Sequence, residues 1–147
     1  MRTHAAGGGV TIAVRRFGAT TRTAQDAARE IGCAVAEIVK SLVFLADGRP
    51  VVVLCSGADR VDEAKLRDIL GASGVRRATA DEAKTATGYA IGGVPPFAHA
   101  TDVRVIVDRG LLAFTTVWAA AGLPDAVFPI APADLVRLST ATEAEVT

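Results

Sequence analysis

The stretch Ile38-Val39-Lys40-Ser41-Leu42-Val43-Phe44-Leu45, with Asp47-Gly48-Arg49-Pro50 and then Val51-Val52-Val53-Leu54-Cys55, decides the fold. Two strand-length apolar runs joined through Asp-Gly form a strong short-range signal for a β-hairpin. Strand side chains alternate, so Lys40 shares a face with Ile38, Leu42 and Phe44. The chain has thirteen arginines and three lysines, which makes a lysine in apolar company conspicuous. Its ammonium must snorkel to an edge or meet an anionic partner. It is either a guard against edge-to-edge aggregation or the cation of a binding site.

Outward from the hairpin, the pattern changes to short helices. Thr23 caps a helix whose Ala24, Ala27, Ala28 and Ile31 make one apolar stripe, and Gly32 ends it. Asp62 to Leu70 reads as a second helix, with Leu66, Ile69 and Leu70 inward and a Glu63–Arg67 pair outside. Thr79-Ala80-Asp81-Glu82 matches a capping box and starts a third helix, running to about Ala86. Val10–Val14, Val103–Val107, Thr115–Ala120 and Asp125–Ile130 are further strands, and Asp108-Arg109-Gly110 is a turn. Pro132-Ala133-Asp134-Leu135 opens a last helix, with Asp134 read as its capping group. Strands outnumber helices and hairpins dominate, which describes an α+β domain around a mixed sheet.

Between the third helix and the strand at Val103 lies Gly88-Tyr89-Ala90-Ile91-Gly92-Gly93-Val94-Pro95-Pro96-Phe97-Ala98-His99. Three glycines and two prolines exclude a long helix or a central strand. Gly92-Gly93 lets a ligand or another backbone approach, with two amide N–H groups available to it. Pro95-Pro96 stiffens the exit. Such a loop is either an acceptor of developing negative charge or a structural crossover.

The bulk properties narrow the function. At 147 residues, half of them apolar and 22% charged, the chain is one domain with a core of its own. Residues 1–9 read as a flexible extension, 10–140 as the domain, and 141–147 as a fraying acidic tail. The formal net charge is zero, so RNA contact must be local or shared with another protein. Cys33 and Cys55 lack metal or CxxC spacing and sit in apolar runs as small core residues, which fits a reducing cytoplasm. No segment is long enough to span a membrane, and no signal peptide is legible. There is no nucleophile elbow, HExxH, P-loop or metal cluster.

Taken together, Lys40-Ser41 at the end of "VAEIVKSLVF", the "GYAIGGVPP" loop and the closing "VWAAAGLPDAVFPIAPADLVRL" resemble the YbaK/prolyl-tRNA-synthetase-associated editing family. That family comprises free-standing aminoacyl-tRNA deacylases and the insertion domain of bacterial prolyl-tRNA synthetases. The resemblance runs from about Thr23 to about Ser139. It implies a barrel-like form of the mixed sheet and hydrolysis of a mischarged small amino acid from tRNA, with proline tRNA the leading expectation. It implies no metal or organic cofactor. The partners it implies are the acceptor end of mischarged tRNA and a synthetase or elongation factor that helps hold it.

The resemblance also assigns roles. The lysine matching Lys40 lies in the family's pocket, and the glycines matching Gly92 and Gly93 line it near the scissile ester. Lys40, Gly92 and Gly93 are therefore the expected catalytic set, with Val94, Pro95, Tyr89 and His99 expected around the substrate. His99 is either a general base or incidental, and Tyr89 either stacks on adenine or is a core ring. Ser41 alternates away from Lys40, which argues against direct chemistry, and Trp118 reads as core. Three departures stand out. Many members carry a serine where Ala119-Ala120-Ala121 stand here, an aspartate near Val127, and a glycine at Ala98. The pocket is therefore expected to be apolar, and cysteine specificity does not transfer. Two non-hydrolytic alternatives stay open: a module that binds an aminoacyl-adenosine end or nucleotide, and a synthetase partner with a decayed site.

Overall fold

The computed structural model describes residues 8–17 and 23–147. In chain order the elements are β1 (Arg15–Arg16), α1 (Ala24–Ile31), β2 (Val39–Ala46), β3 (Arg49–Ser56), α2 (Glu63–Leu70), β4 (Val75–Arg77) and α3 (Ala80–Thr87). There follow β5 (Arg104–Asp108), β6 (Val117–Ala120), β7 (Ala126–Ile130), α4 (Pro132–Ser139) and β8 (Thr142–Ala144). Short 3-10 turns at Val35–Glu37 and Arg109–Ala113 complete the set.

The hairpin forms as its sequence demands. β2 and β3 pair antiparallel from Val39↔Ser56 to Ala46↔Arg49. Asp47 and Gly48 both have positive φ, 50° and 82°, the two-residue turn whose twist matches its strands. The Asp47 carboxylate also accepts the Ser73 and Gly74 amides at 3.0–3.1 Å. It thereby brings in β4, a strand absent from the sequence reading.

Five strands in the order β4-β2-β3-β5-β8 make the main, mixed sheet, with β3–β5 and β5–β8 parallel. A smaller sheet, β1-β7-β6, is antiparallel. The α+β class and mixed sheet are those expected, but the two sheets do not close into a barrel. They meet at one parallel bridge, Ile38↔Trp118.

Both faces of the main sheet are covered, which explains the unbroken apolar run of β3. Val52 and Leu54 join the larger core with Phe97, Val117 and Phe128. Val51 and Val53 join the second with Leu66 of α2, Ala144 and Val146.

Several local expectations shift. Val10–Val14 forms no strand, because Ile12 and its neighbours cover the larger core and pairing begins only at Arg15. In α2, Leu66 is buried, Ile69 is 38% exposed, and Arg67 lies against Asp68 at 3.4 Å, not Glu63. Asp134 does not cap α4. Ala131 occupies that position without a side-chain bond, and Asp134 pairs with Arg137 at 3.0 Å.

The tail does not fray. β8 pairs with β5, and Val146 is fully buried, its amide donating to Asp108 Oδ1 at 3.0 Å. Alternation of a few charged and small residues hid an edge strand whose anchor is the buried Asp108 carboxylate. Of the expected N-terminal extension, residues 1–7 lie outside the described residues.

The capping box of α3 is formed in both directions: the Glu82 amide donates to Thr79 Oγ1, and the Thr79 amide donates to Glu82 Oε1. Arg76 adds two bonds of 2.8 Å to the Glu82 carboxylate. That bidentate contact, chiefly, lowers the Glu82 pKa to about 2. A carboxylate with a depressed folded-state pKa contributes stability that is complete above its unfolded value and lost as pH falls through the folded one. Melting temperatures measured from pH 5 to pH 2 should therefore fall more steeply for the wild type than for Glu82→Gln. Parallel curves would show that the contact contributes nothing.

Candidate functional site

β2 is bonded to β3 along its whole length, but among the described residues its outer edge is paired only at the ends. β4 covers Phe44–Ala46, and Trp118 bridges Ile38. Between them the edge opens into a cavity of about 240 Å³. Bonding direction alternates along an antiparallel strand. The Ile38 carbonyl turns toward β3 to accept from Gly57, and that of Val43 turns outward to accept from Ala78. By the same alternation, the backbone N–H and C=O of Ser41 face outward, into the gap.

Five parts of the fold build the wall, among them the start of α1 with Thr23, Ala24 and Ala27. β2 contributes Lys40, Ser41 and Val43, β4 contributes Arg77, and the glycine loop contributes Ile91, Gly92 and Val94. The small sheet supplies Trp118, Ala120 and Val127. The positions where relatives of the resembled family carry serine and aspartate are thus on or beside the wall, and here they are apolar. No carboxylate and no histidine among the described residues lines the cavity. Among the described residues no three His, Cys, Asp or Glu side chains cluster as metal ligands, and no helix is long and apolar enough to cross a membrane.

Lys40 is half-buried and lines this cavity, while its ammonium donates backward to the Asp59 carbonyl. That bond holds the butyl stem and leaves the ammonium with further donors. Cys55, directly across the strand pair, is fully buried. Burial pushes its thiol up to about 11 against the opposing pull of the Lys40 ammonium, so it is no nucleophile at neutral pH. Ser41 differs from its reading. It lines the cavity, and its Oγ is a buried side-chain oxygen with no hydrogen-bond partner among the described residues. Trp118, read as core, is also a half-buried wall residue.

The glycine loop divides its labour. Gly92 has φ 89° and lines the cavity, with no hydrogen-bond partner for its amide among the described residues. The Gly93 amide donates to Ala90 O at 3.0 Å, and this residue is not on the wall. A Cβ there would stand 2.9 Å from the Leu123 carbonyl carbon. The close approach read from this glycine is thus that of the Gly122–Leu123 backbone.

Pro95, Tyr89 and His99 are likewise off the wall. The Tyr89 hydroxyl donates to Ala98 O at 3.3 Å, and His99 Nε2 lies 2.7 Å from Pro95 O. Phe97 packs its ring on Phe128, centroids 5.9 Å apart. These residues brace the loop that presents Gly92 and Val94. Ala98 has φ 63°, the left-handed region that the glycine expected there from the resemblance would adopt without strain.

Residues 19–138 match the family described as the aminoacyl-tRNA editing domain. The chain belongs to that family. It is 40% identical to a solved structure described as a candidate trans-editing enzyme for prolyl tRNA synthetase, with TM-score 0.88, covering 92% of this chain and 86% of that one. It is 33% identical over 127 residues to the uncharacterised protein YwhH of Bacillus subtilis (strain 168), covering 86% of this chain and 80% of that one. Proline--tRNA ligase of Streptococcus thermophilus (strain ATCC BAA-491 / LMD-9) is 35% identical over 88 residues. That match spans 60% of this chain but 14% of the ligase, so the shared part is a small portion of the larger enzyme.

Two substitutions separate packing from strain within the editing-domain loop. Gly93→Ala should destabilise by about 1–3 kcal/mol, because its Cβ meets backbone that cannot yield freely. Ala98→Gly should stabilise by about 1 kcal/mol, through relief of left-handed strain. Urea unfolding midpoints at constant slope measure both, and an unchanged Gly93→Ala midpoint would refute the contact.

Proposed function

We propose that this chain is a free-standing deacylase that hydrolyses the ester of a mischarged small amino acid on tRNA, with proline tRNA its leading substrate. The observation that carries the reading is the interrupted edge of β2. There a cation, an outward strand backbone and an unpaired glycine amide converge, among the described residues, on one small, apolar cavity. Family membership and the candidate trans-editing neighbour support it.

In this reading, water attacks the ester carbonyl carbon, the carbon–O3′ bond breaks, and the proton from water ends on the 3′ oxygen. The products are the free amino acid and tRNA with its hydroxyl restored. An aminoacyl ester is already activated, so positioning and electrostatics suffice. Lys40 and the Gly92 amide stabilise the oxyanion, and the neighbouring 2′-hydroxyl relays the proton. The Ser41 carbonyl and hydroxyl accept from the substrate's ammonium. Ala120 and Val127 receive the side chain, which favours alanine over serine, since a hydroxyl against them goes unpaired. The reaction belongs in the cytoplasm, with a synthetase or elongation factor holding the rest of the tRNA.

One observation favours a second reading, a module that binds the aminoacyl-adenosine end without turnover. The Gly93 amide is committed to Ala90 O, so only one of the two expected loop donors is available.

Proline tRNAs charged with alanine, cysteine, serine, threonine or proline separate these readings. The wild type should clear the alanyl ester fastest and spare the prolyl one. Lys40→Ala should slow clearance by roughly 10²–10³, the range for loss of one oxyanion donor, with the far-ultraviolet circular dichroism spectrum of the wild type retained. Binding without turnover across the panel supports the module, and full activity in Lys40→Ala would move the site elsewhere.

A further inference from the structure

Arg77 is the one guanidinium on the cavity wall among the described residues, and its surroundings differ from those of its neighbour. Arg76 is consumed by its two bonds to Glu82. Arg77, exposed at the end of β4, has no carboxylate within ion-pair distance among the described residues. It is nonetheless held in place. Register sets it opposite Phe44, and its guanidinium carbon lies 5.5 Å from the centre of that ring. A guanidinium over an aromatic face keeps its edge donors free and loses part of its rotamer freedom in advance.

Among the described residues, the wall therefore carries two cations, Lys40 and Arg77, and no carboxylate to neutralise them. An amino acid and its ribose bring no negative charge that would need a second cation. The only anions an aminoacyl-tRNA end carries are its phosphodiesters. Planar, forked guanidinium donors match phosphate oxygens in pairs. With zero net charge on the chain, such a contact must be made locally.

We propose that Arg77 binds a backbone phosphate of the RNA strand whose 3′ end enters the cavity, as a positioning residue that holds the ester against Lys40 and Gly92. This rests on the deacylase reading for its substrate, and its test does not. Anisotropy of a fluorescent single-stranded RNA ending in CCA, titrated with protein over a range of salt, reads the contact directly. Arg77→Gln should weaken binding about tenfold, as expected for one charge-assisted contact. It should also flatten the slope of log affinity against log salt by about 0.7, the value for one phosphate on a single strand. Arg77→Lys should restore most of the slope, and Arg104→Gln, an exposed arginine away from the cavity, should change neither quantity.

Equal affinity and slope in wild type and Arg77→Gln would overturn the assignment, as would a wild type that does not bind the RNA. In turnover assays, Arg77→Gln should raise KM for charged tRNA with little change in kcat. It should leave hydrolysis of a phosphate-free aminoacyl-adenosine ester at the wild-type rate. If the wild type hydrolyses neither ester, the deacylase reading fails while the binding result still decides the role of Arg77.

Discussion

Every feature of the candidate site depends on an interruption in hydrogen bonding along the outer edge of β2. An unpaired strand edge is ordinarily a liability, because its N–H and C=O groups invite another chain. Among the described residues the edge is closed at one end by β4 and at the other by the bridge to Trp118, and only the middle stays open. The opening is too short to template another strand, yet it exposes one residue's worth of backbone to a ligand-sized space. Closing the two sheets into a continuous barrel would remove it.

The rest of the chain keeps that gap open and shaped. Asp47 ties the hairpin turn to the segment before β4, which sets where β4 begins. The Thr79–Glu82 cap, reinforced by Arg76, starts α3 immediately after β4 and carries the chain to the glycine loop. Gly93 lets that loop lie against Gly122–Leu123, and Phe97 pins it to the larger core. Gly92 can then remain at the wall. His99 and Tyr89, expected around the substrate, are bonded to this loop's own carbonyls.

The apolar back of the cavity gives the alanines and Val127 a physical meaning. Residues that replace polar groups in a pocket alter selectivity through the desolvation of whatever polar group the ligand brings. The adjacent Ser41 hydroxyl, buried and without a partner among the described residues, is the converse case.

The β2–β3 hairpin was readable from sequence because Asp-Gly meets the twist of a two-residue turn. Helices α1 and α3 were readable because a threonine hydroxyl at Thr23 or Thr79 can cap only the helix on its C-terminal side. The apolar character of the site was visible in Ala120 and Val127. β4 and β8 were not legible, being three residues each and held by partners distant in sequence. Lys40 could be suspected from composition alone, but Arg77 and Ser41 could not. Their importance comes from which strand edge is left unpaired, and edge pairing is a property of non-local contacts. Sequence determined the local turns, caps and strand faces, because these depend on neighbours within a few residues. Only the tertiary structure decided which glycine lines the cavity and which faces the backbone of Leu123, because that depends on segments about thirty residues apart meeting in space.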